Sequence, residues 1–359
     1  MRIALVHDYL NEFGGAEVVL RKLADMYPEA PIYTAFAVSD STAEKAFQDR
    51  KIITSWMQDI PYYKKLYSPL RFLIPWIWNS FDFSKYDLVI TSASWYVTKG
   101  LGSKEVCYCH TPPRWLYGYE TSVNWQKWWL VRIYALVVGH FLRIYDYKQA
   151  QKVNVFVANS KNVAARIEKF YRRKAIVVYP PVSVPHPLPL SSIAERGDYF
   201  LMVTRIVGGK GIEMAIECAK KYGFKLKIAG ENAGYSKFED SKCFIGRVSE
   251  EEKCKLLANA KAFLALSKDE DFGITPVEAQ MCGTPVIAFN GGGYKESVIN
   301  NKTGILFDEY SSEGLHNAMK KFNKLKWDEK IIRKHAEKFG VKEFERKIRK
   351  IVSKYAGVA

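Results

Sequence analysis

The 359-residue chain has no apolar run long enough to cross a membrane as a helix. Its longest largely apolar stretch, Ile133 to Leu142, lies between Arg132 and Arg143. That is far short of the ~20 residues a helical span requires. The first strand-like run begins at Arg2, so no secretory leader is expected. Cysteine is sparse, and the six present show no metal-ligand spacing. Cys107 and Cys109 stand two apart in a strand-like run. They read as buried thiols on one face, which suits a reducing cytosol. No helix-turn-helix, zinc-finger or RNA-binding signature is present, so nucleic acid is not the expected partner of the net charge of +16. Acid is scarcest where that charge concentrates. Residues 51–174 hold 19 Lys and Arg against 7 Asp and Glu, while the rest of the chain holds 35 against 31. Such an imbalance favours anionic partners, a membrane surface or phosphorylated ligands.

What is present begins with order. Short apolar runs rich in β-branched residues (RIALVHDY, PIYTAF, KIITS, DLVITSAS, VCYCH, VFVANS, AIVVYPP) alternate with helical stretches. That alternation predicts βαβ units and a parallel sheet. YPPVSVPHPLPLSSIAERG (179–197) then brings five Pro in nineteen residues and reads as a linker. The pattern restarts with YFLMVTRI, KLKIAG, CFIGRV, AFLALS and PVIAF as strands, and with SEEEKCKLLANA and ITPVEAQMCG as helices. The expected fold is α/β, two Rossmann-like doubly wound domains facing across a cleft. Residues 1–180 form the first, 181–197 the linker and 198–328 the second. Residues 329–359 are a helical region packing back on the N-terminal domain. Ligands of such domains sit at the carboxyl ends of the strands.

Several groups stand at those ends. Gly14 and Gly15 separate the first strand from the first helix, where backbone N–H groups and the helix dipole favour phosphate; a plain tight turn is the alternative. TRIVGGKG (204–211) repeats the arrangement and adds Arg205 and Lys210, two cations able to clamp a diphosphate. SKDEDFGITPVEAQMCGTPV (267–286) places Glu270 in a loop and Glu278 in the following helix, carboxylates suited to sugar or ribose hydroxyls. Gly273 permits a tight turn that aims N–H groups at a ligand. Asp269 and Asp271 form a D-x-D pattern, but the pattern is short and common, so no metal is expected. His110 ends VCYCH ahead of Pro112 and Pro113, with Arg114 on the same loop.

The ordered set is G-G-A-E, a histidine ending a mid-domain strand, R-x4-K, E-x-F-G-I-x3-E, G-T-P-V and G-G-x-x-E. It resembles the family 4 retaining glycosyltransferases of the GT-B fold over nearly the whole chain. CHTPPRW further resembles bacterial mannosyltransferases of O-antigen and related surface polysaccharides. The resemblance implies donor binding by Gly14, Gly15, Arg205, Lys210, Glu270, Phe272, Gly273, Ile274 and Glu278. His110, Arg205, Lys210 and Glu270 would form the catalytic set. It implies a nucleotide-diphosphate sugar as donor, GDP-mannose above a UDP-sugar, no cofactor, and a lipid-linked glycan acceptor.

One stretch then acquires a meaning. PYYKKLYSPLRFLIPWIWNSF (61–81) mixes seven rings with three cations and no acid, and 123–145 is similar. Rings beside cations suit the headgroup boundary of an anionic membrane. Lys64, Lys65, Arg71, Trp76 and Trp78, with Arg114, are the expected acceptor and membrane contacts, and the expected location is cytoplasmic, peripheral on the inner face of the cell membrane. Packing of these stretches as core is the alternative. Rival functions are an epimerase or sugar-phosphate synthase of the same frame, or a non-catalytic nucleotide-sugar scaffold.

Overall fold

The computed structural model describes residues 1–121, 128–184, 196–231 and 242–356. The chain divides into two compact units. The first holds residues 1–120, the described residues up to Pro181, and those from Phe344 onward.

Its sheet contains β1 (Ile3–His7), β2 (Ile32–Thr34), β3 (Ile52–Thr54), β4 (Leu88–Ala93), β5 (Glu105–Cys109), β6 (Val155–Ala158) and β7 (Ala175–Val177). The order is β3-β2-β1-β4-β5-β6-β7, and every pairing is parallel. Strands β1, β4 and β5 are buried throughout, because helices cover both faces; hence their near-continuous apolar runs. Strand β1 sends Ile3 and Leu5 into one core and Ala4 and Val6 into the other, as strand alternation requires. The connection direction reverses between β1 and β4, the crevice where doubly wound sheets take ligands.

The second unit repeats this plan with β8 (Tyr199–Val203), β9 (Lys225–Ala229), β10 (Phe244–Gly246), β11 (Ala262–Ala265), β12 (Val286–Phe289) and β13 (Gly304–Phe307). The order is β10-β9-β8-β11-β12-β13, with the reversal between β8 and β11. Strand β13 is the one the sequence reading left out; it is four residues long and follows the turn at Asn301–Thr303. The helix Glu250–Asn259 starts where expected. Ser249 Oγ accepts the Glu252 N–H at 3.2 Å, and Glu252 returns the bond to Ser249 N–H at 2.8 Å, a reciprocal cap.

Of the proposed linker, residues 185–195 lie outside the described residues, and Val182 N–H already donates to the Phe339 carbonyl at 2.9 Å within the second unit. The C-terminal region is two helices, Glu329–Ala336 and Val341–Ala356, separated by a 3-10 turn and Gly340. Residues up to Glu343 group with the second unit and those from Phe344 with the first. Phe344, Ile348, Ile351 and Val352 supply the stripe that enters the first unit's core.

The aromatic-basic stretch is split between the two readings. Tyr63, Tyr67, Leu70, Leu73, Ile74, Ile77 and Trp78 pack into the first unit's core. Trp78 is only 1% exposed, and its indole N–H donates to the Tyr96 carbonyl at 2.8 Å. The expectation that Trp78 meets a membrane is therefore corrected: its polar edge is satisfied inside and its ring is core. Trp76 is 60% exposed, beside exposed Tyr62 and Phe72. Lys64 and Lys65 are exposed, while Arg71 lies over the Trp115 ring at 4.6 Å. In the similar stretch 123–145, residues 123–127 lie outside the described residues. The remainder starts a helix, Trp129–Lys152. Leu130, Ile133, Val137, Phe141 and Ile144 are all exposed along it, three or four apart and so on one face. No helix of the described residues is long and apolar enough to cross a membrane.

Candidate functional site

At the reversal point of the first unit, four side chains form a hydrogen-bonded chain. Glu17, in the first turn of the helix Gly15–Met26, has Oε1 3.2 Å from His7 Nε2. His7 Nδ1 is 3.1 Å from Ser92 Oγ, and Ser92 Oγ is 2.8 Å from His110 Nε2. His7 ends β1, Ser92 lies in β4 and His110 follows β5; parallel register sets His7 level with Ser92, and His110 stands two residues beyond Tyr108, the register partner of Ser92. Burial and the neighbouring His7 push His110 down to about 3, so its ring is neutral. Burial would lower His7 as well, but the hydrogen bond and charge of Glu17 outweigh it and raise the pKa. Burial would raise Glu17, and His7 reverses that in turn. Glu17 and His7 thus form an ion pair beside a neutral imidazole.

The loops around this chain are fixed. Asp8 accepts from Ser94 N–H at 3.0 Å and also from Trp95 N–H and the Thr98 hydroxyl. The His110 carbonyl accepts from Asn159 Nδ2 at 2.9 Å, and Arg166 donates to Thr111 Oγ1 at 2.8 Å. Arg114, half-buried, donates to the Glu120 carbonyl at 3.3 Å. One expectation narrows. The Gly14 N–H already donates to Glu17 Oε2 at 2.9 Å, so a carboxylate stands where a phosphate was expected to meet Gly14. Gly15 is exposed at the helix start.

The second unit places charge at the corresponding point. Lys210, in the turn after β8, has Nζ 2.8 Å from Glu270 Oε2, in the loop after β11. The two are 27% and 23% exposed at the side chain, and Arg205 is exposed on the loop that carries Lys210. The Glu270 loop is held from below. Its carbonyl accepts the Gly293 N–H at 2.8 Å, and a Cβ on Gly292, at φ +52°, would strike the Glu270 backbone. Tyr294 approaches Glu270 Oε2 with its hydroxyl at 3.5 Å. Gly273 has φ +87° and opens the helix Ile274–Met281; a Cβ there would stand 2.7 Å from the Tyr294 ring. Phe272 is buried against Phe339, so only its backbone can meet a ligand, and Ile274 is half-buried. Glu278 is buried and accepts from Lys253 Nζ at 3.1 Å. Burial raises its carboxyl while Lys253 opposes the shift.

The structure therefore joins Lys210 to Glu270. It adds Tyr294 and Lys253 in the second unit and Glu17, His7 and Ser92 in the first. His7 and Ser92 carried a readable signal, since both lie at or near the carboxyl ends of strands. Lys253 carried none, being one cation within a charged helix. Among the described residues no group of three His, Cys, Asp or Glu side chains is placed to hold a metal ion.

Residues 13–184 match the family described as Glycosyltransferase Family 4, and residues 189–340 match Glycosyl transferases group 1. Two such halves in tandem on this fold place the chain among the GT-B glycosyltransferases. An uncharacterized glycosyltransferase of Methanocaldococcus jannaschii is 27% identical over 189 residues, 50% of this chain and 51% of that protein. An alpha-1,3/1,6-mannosyltransferase ALG2 of Dictyostelium discoideum is 36% identical over 88 residues, 24% of this chain and 18% of that protein. The chain thus aligns with about half the length of the first relative and less of the second. The solved structure of Anabaena HepE in complex with UDP-glucose matches 99% of this chain and 100% of its own, with TM-score 0.70 and 16% identity, a likeness of fold.

Proposed function

We propose that the chain is a retaining glycosyltransferase that moves a sugar, mannose from GDP-mannose, onto a lipid-linked glycan at the inner face of the cell membrane. The Lys210–Glu270 pair at the β8/β11 reversal carries the reading. A cation and a carboxylate 2.8 Å apart offer adjacent places for a diphosphate and for sugar hydroxyls. Lys210 and Arg205 stabilise charge as the sugar–phosphate bond breaks. Glu270 and the Phe272–Gly273 backbone hold the sugar, Glu278 the ribose, and neutral His110 a sugar hydroxyl. The acceptor oxygen bonds to the sugar carbon on the face the diphosphate leaves, and its proton passes to the departing phosphate oxygen. No protein nucleophile is needed, and catalysis rests on positioning and electrostatics. Retention this way differs from the paired carboxylates of retaining glycosidases.

Mannose is supported by the ALG2 relative. A membrane acceptor is supported by the apolar stripe of the helix Trp129–Lys152 and by exposed Trp76, Phe72, Lys64 and Lys65 in the stretch 61–81. Tyr134 of that helix donates to the Pro69 carbonyl, which ties the two segments together. Exposed apolar surface of this kind marks an interaction site, and the cations of the stretch 61–81 favour an anionic lipid surface. A UDP-sugar is the second reading, because HepE of the same fold was solved with UDP-glucose.

Thermal shift with GDP, UDP, GDP-mannose and UDP-sugars, with and without EDTA, tests the donor. Stabilisation by the guanine compounds alone, unchanged by EDTA, is the expected result. A response to uracil compounds alone replaces the donor, and no response to any nucleotide sugar, together with no transfer, refutes the activity.

A further inference from the structure

We propose that Glu17, His7 and Ser92 are positioning residues: a polar relay that fixes the tautomer of His110, so that its ring offers Nδ1–H as a donor to the group bound at the carboxyl ends of β1 and β4. The identity of that group as a sugar rests on the function proposed above; the relay itself does not.

The argument is proton counting along one chain of contacts. Glu17 Oε1, His7 Nε2, His7 Nδ1, Ser92 Oγ and His110 Nε2 are joined by steps of 3.2, 3.1 and 2.8 Å across the two rings. His7, Ser92 and His110 are all buried, so bulk water does not scramble the directions. An ionised carboxylate only accepts, and an imidazolium only donates. His7 paired with Glu17 therefore donates from Nε2 to the carboxylate and from Nδ1 to Ser92. Ser92 has one proton, which then points to His110 Nε2. A neutral imidazole has one N–H, so that of His110 is on Nδ1. Among the described residues His110 Nδ1 makes no hydrogen bond. With a neutral His7 protonated on Nε2 the direction reverses. Ser92 donates back to His7 Nδ1 and accepts from His110 Nε2–H, leaving His110 Nδ1 a bare acceptor. The state of His7 Nδ1, set by its partner Glu17, thus decides whether His110 donates or accepts.

Nitrogen-15 NMR of the ligand-free protein, labelled at histidine and assigned through His7→Gln and His110→Gln, reads this directly. Wild type is expected to show His7 protonated on both nitrogens and His110 protonated on Nδ1 alone. Glu17→Gln keeps an amide oxygen for the Gly14 N–H but cannot hold the charge. Its amide nitrogen then faces His7 Nε2 as a donor, so His7 should become neutral with its proton on Nδ1 and His110 should keep its own on Nδ1; Ser92→Ala, which cuts the relay, should disturb the His110 signals and lower kcat roughly 10²-fold with a smaller change in donor KM. Wild-type His110 protonated on Nε2, or His110 signals unchanged in folded Ser92→Ala, overturns the relay. Ser92→Thr should restore the His110 signals; equal disturbance by Ser92→Ala and Ser92→Thr overturns it. The predicted spectra in a protein that transfers no sugar would retain the relay and remove the glycosyltransferase reading.

Discussion

At its reversal point the first unit holds two histidines, a serine and a glutamate, linked, with the histidines and the serine shielded from water. At the same place the second unit holds Arg205, Lys210 and Glu270, each reached by solvent. Strand order follows one plan in the two; the electrostatics differ. One sheet plan delivers loops to a fixed crevice, and the residues ending its strands decide whether a neutral or an anionic group fits there. In the first unit Glu17 already occupies the helix N-terminus, which disfavours a second anion. In the second, Arg205 is exposed and Lys210, paired with Glu270, is partly exposed, so an anion can reach both.

The contrast is broken most strongly by removing charge from the second unit. Lys210→Ala should lower kcat by roughly 10²–10³-fold and leave the melting temperature nearly unchanged, since its partner is still solvated. Turnover near wild type would take Lys210 out of the mechanism. Next comes burial against exposure within the aromatic-basic stretch. Trp78→Ala should cost about 3–5 kcal/mol in denaturant unfolding. Trp76→Ser should leave stability intact and weaken binding to anionic liposomes. Equal unfolding midpoints for the two variants would contradict the placement of Trp78.

A smaller effect tests the shielding in the first unit. The unfolded chain protonates His110 near 6.5, whereas the folded one keeps it neutral down to about 3. Below 6.5 the unfolded state binds the extra proton, so this group's contribution to stability falls as pH falls through that window. The stability gap between wild type and His110→Gln should therefore narrow from pH 7 to pH 5, by at most about 1.4 kcal/mol per pH unit below 6.5. A constant gap would mean that His110 titrates normally. The smallest change is expected from Lys64→Ser with Lys65→Ser: severalfold weaker liposome binding at low salt, vanishing at high salt.

Much of this contrast was legible in the sequence. Strands such as DLVITSAS announce themselves because both faces are buried and nearly every position is apolar or small. Arg205, Lys210, Glu270 and His110 were visible as polar residues placed just after such strands. The Glu17–His7–Ser92 chain was not, because His7 and Ser92 are 85 residues apart and only parallel pairing of β1 with β4 joins them. Trp76 and Trp78 stand two residues apart in one mixed run, and composition does not say which ring turns inward. The Tyr96 carbonyl that accepts the Trp78 indole lies 18 residues away.

The most direct test of the second unit's anion-binding character is calorimetric titration of GDP-mannose into wild type and Lys210→Ala. Binding to wild type that weakens at least about tenfold in the variant is the predicted result. Measurable binding of equal affinity in both would contradict the assignment of Lys210 to the donor diphosphate.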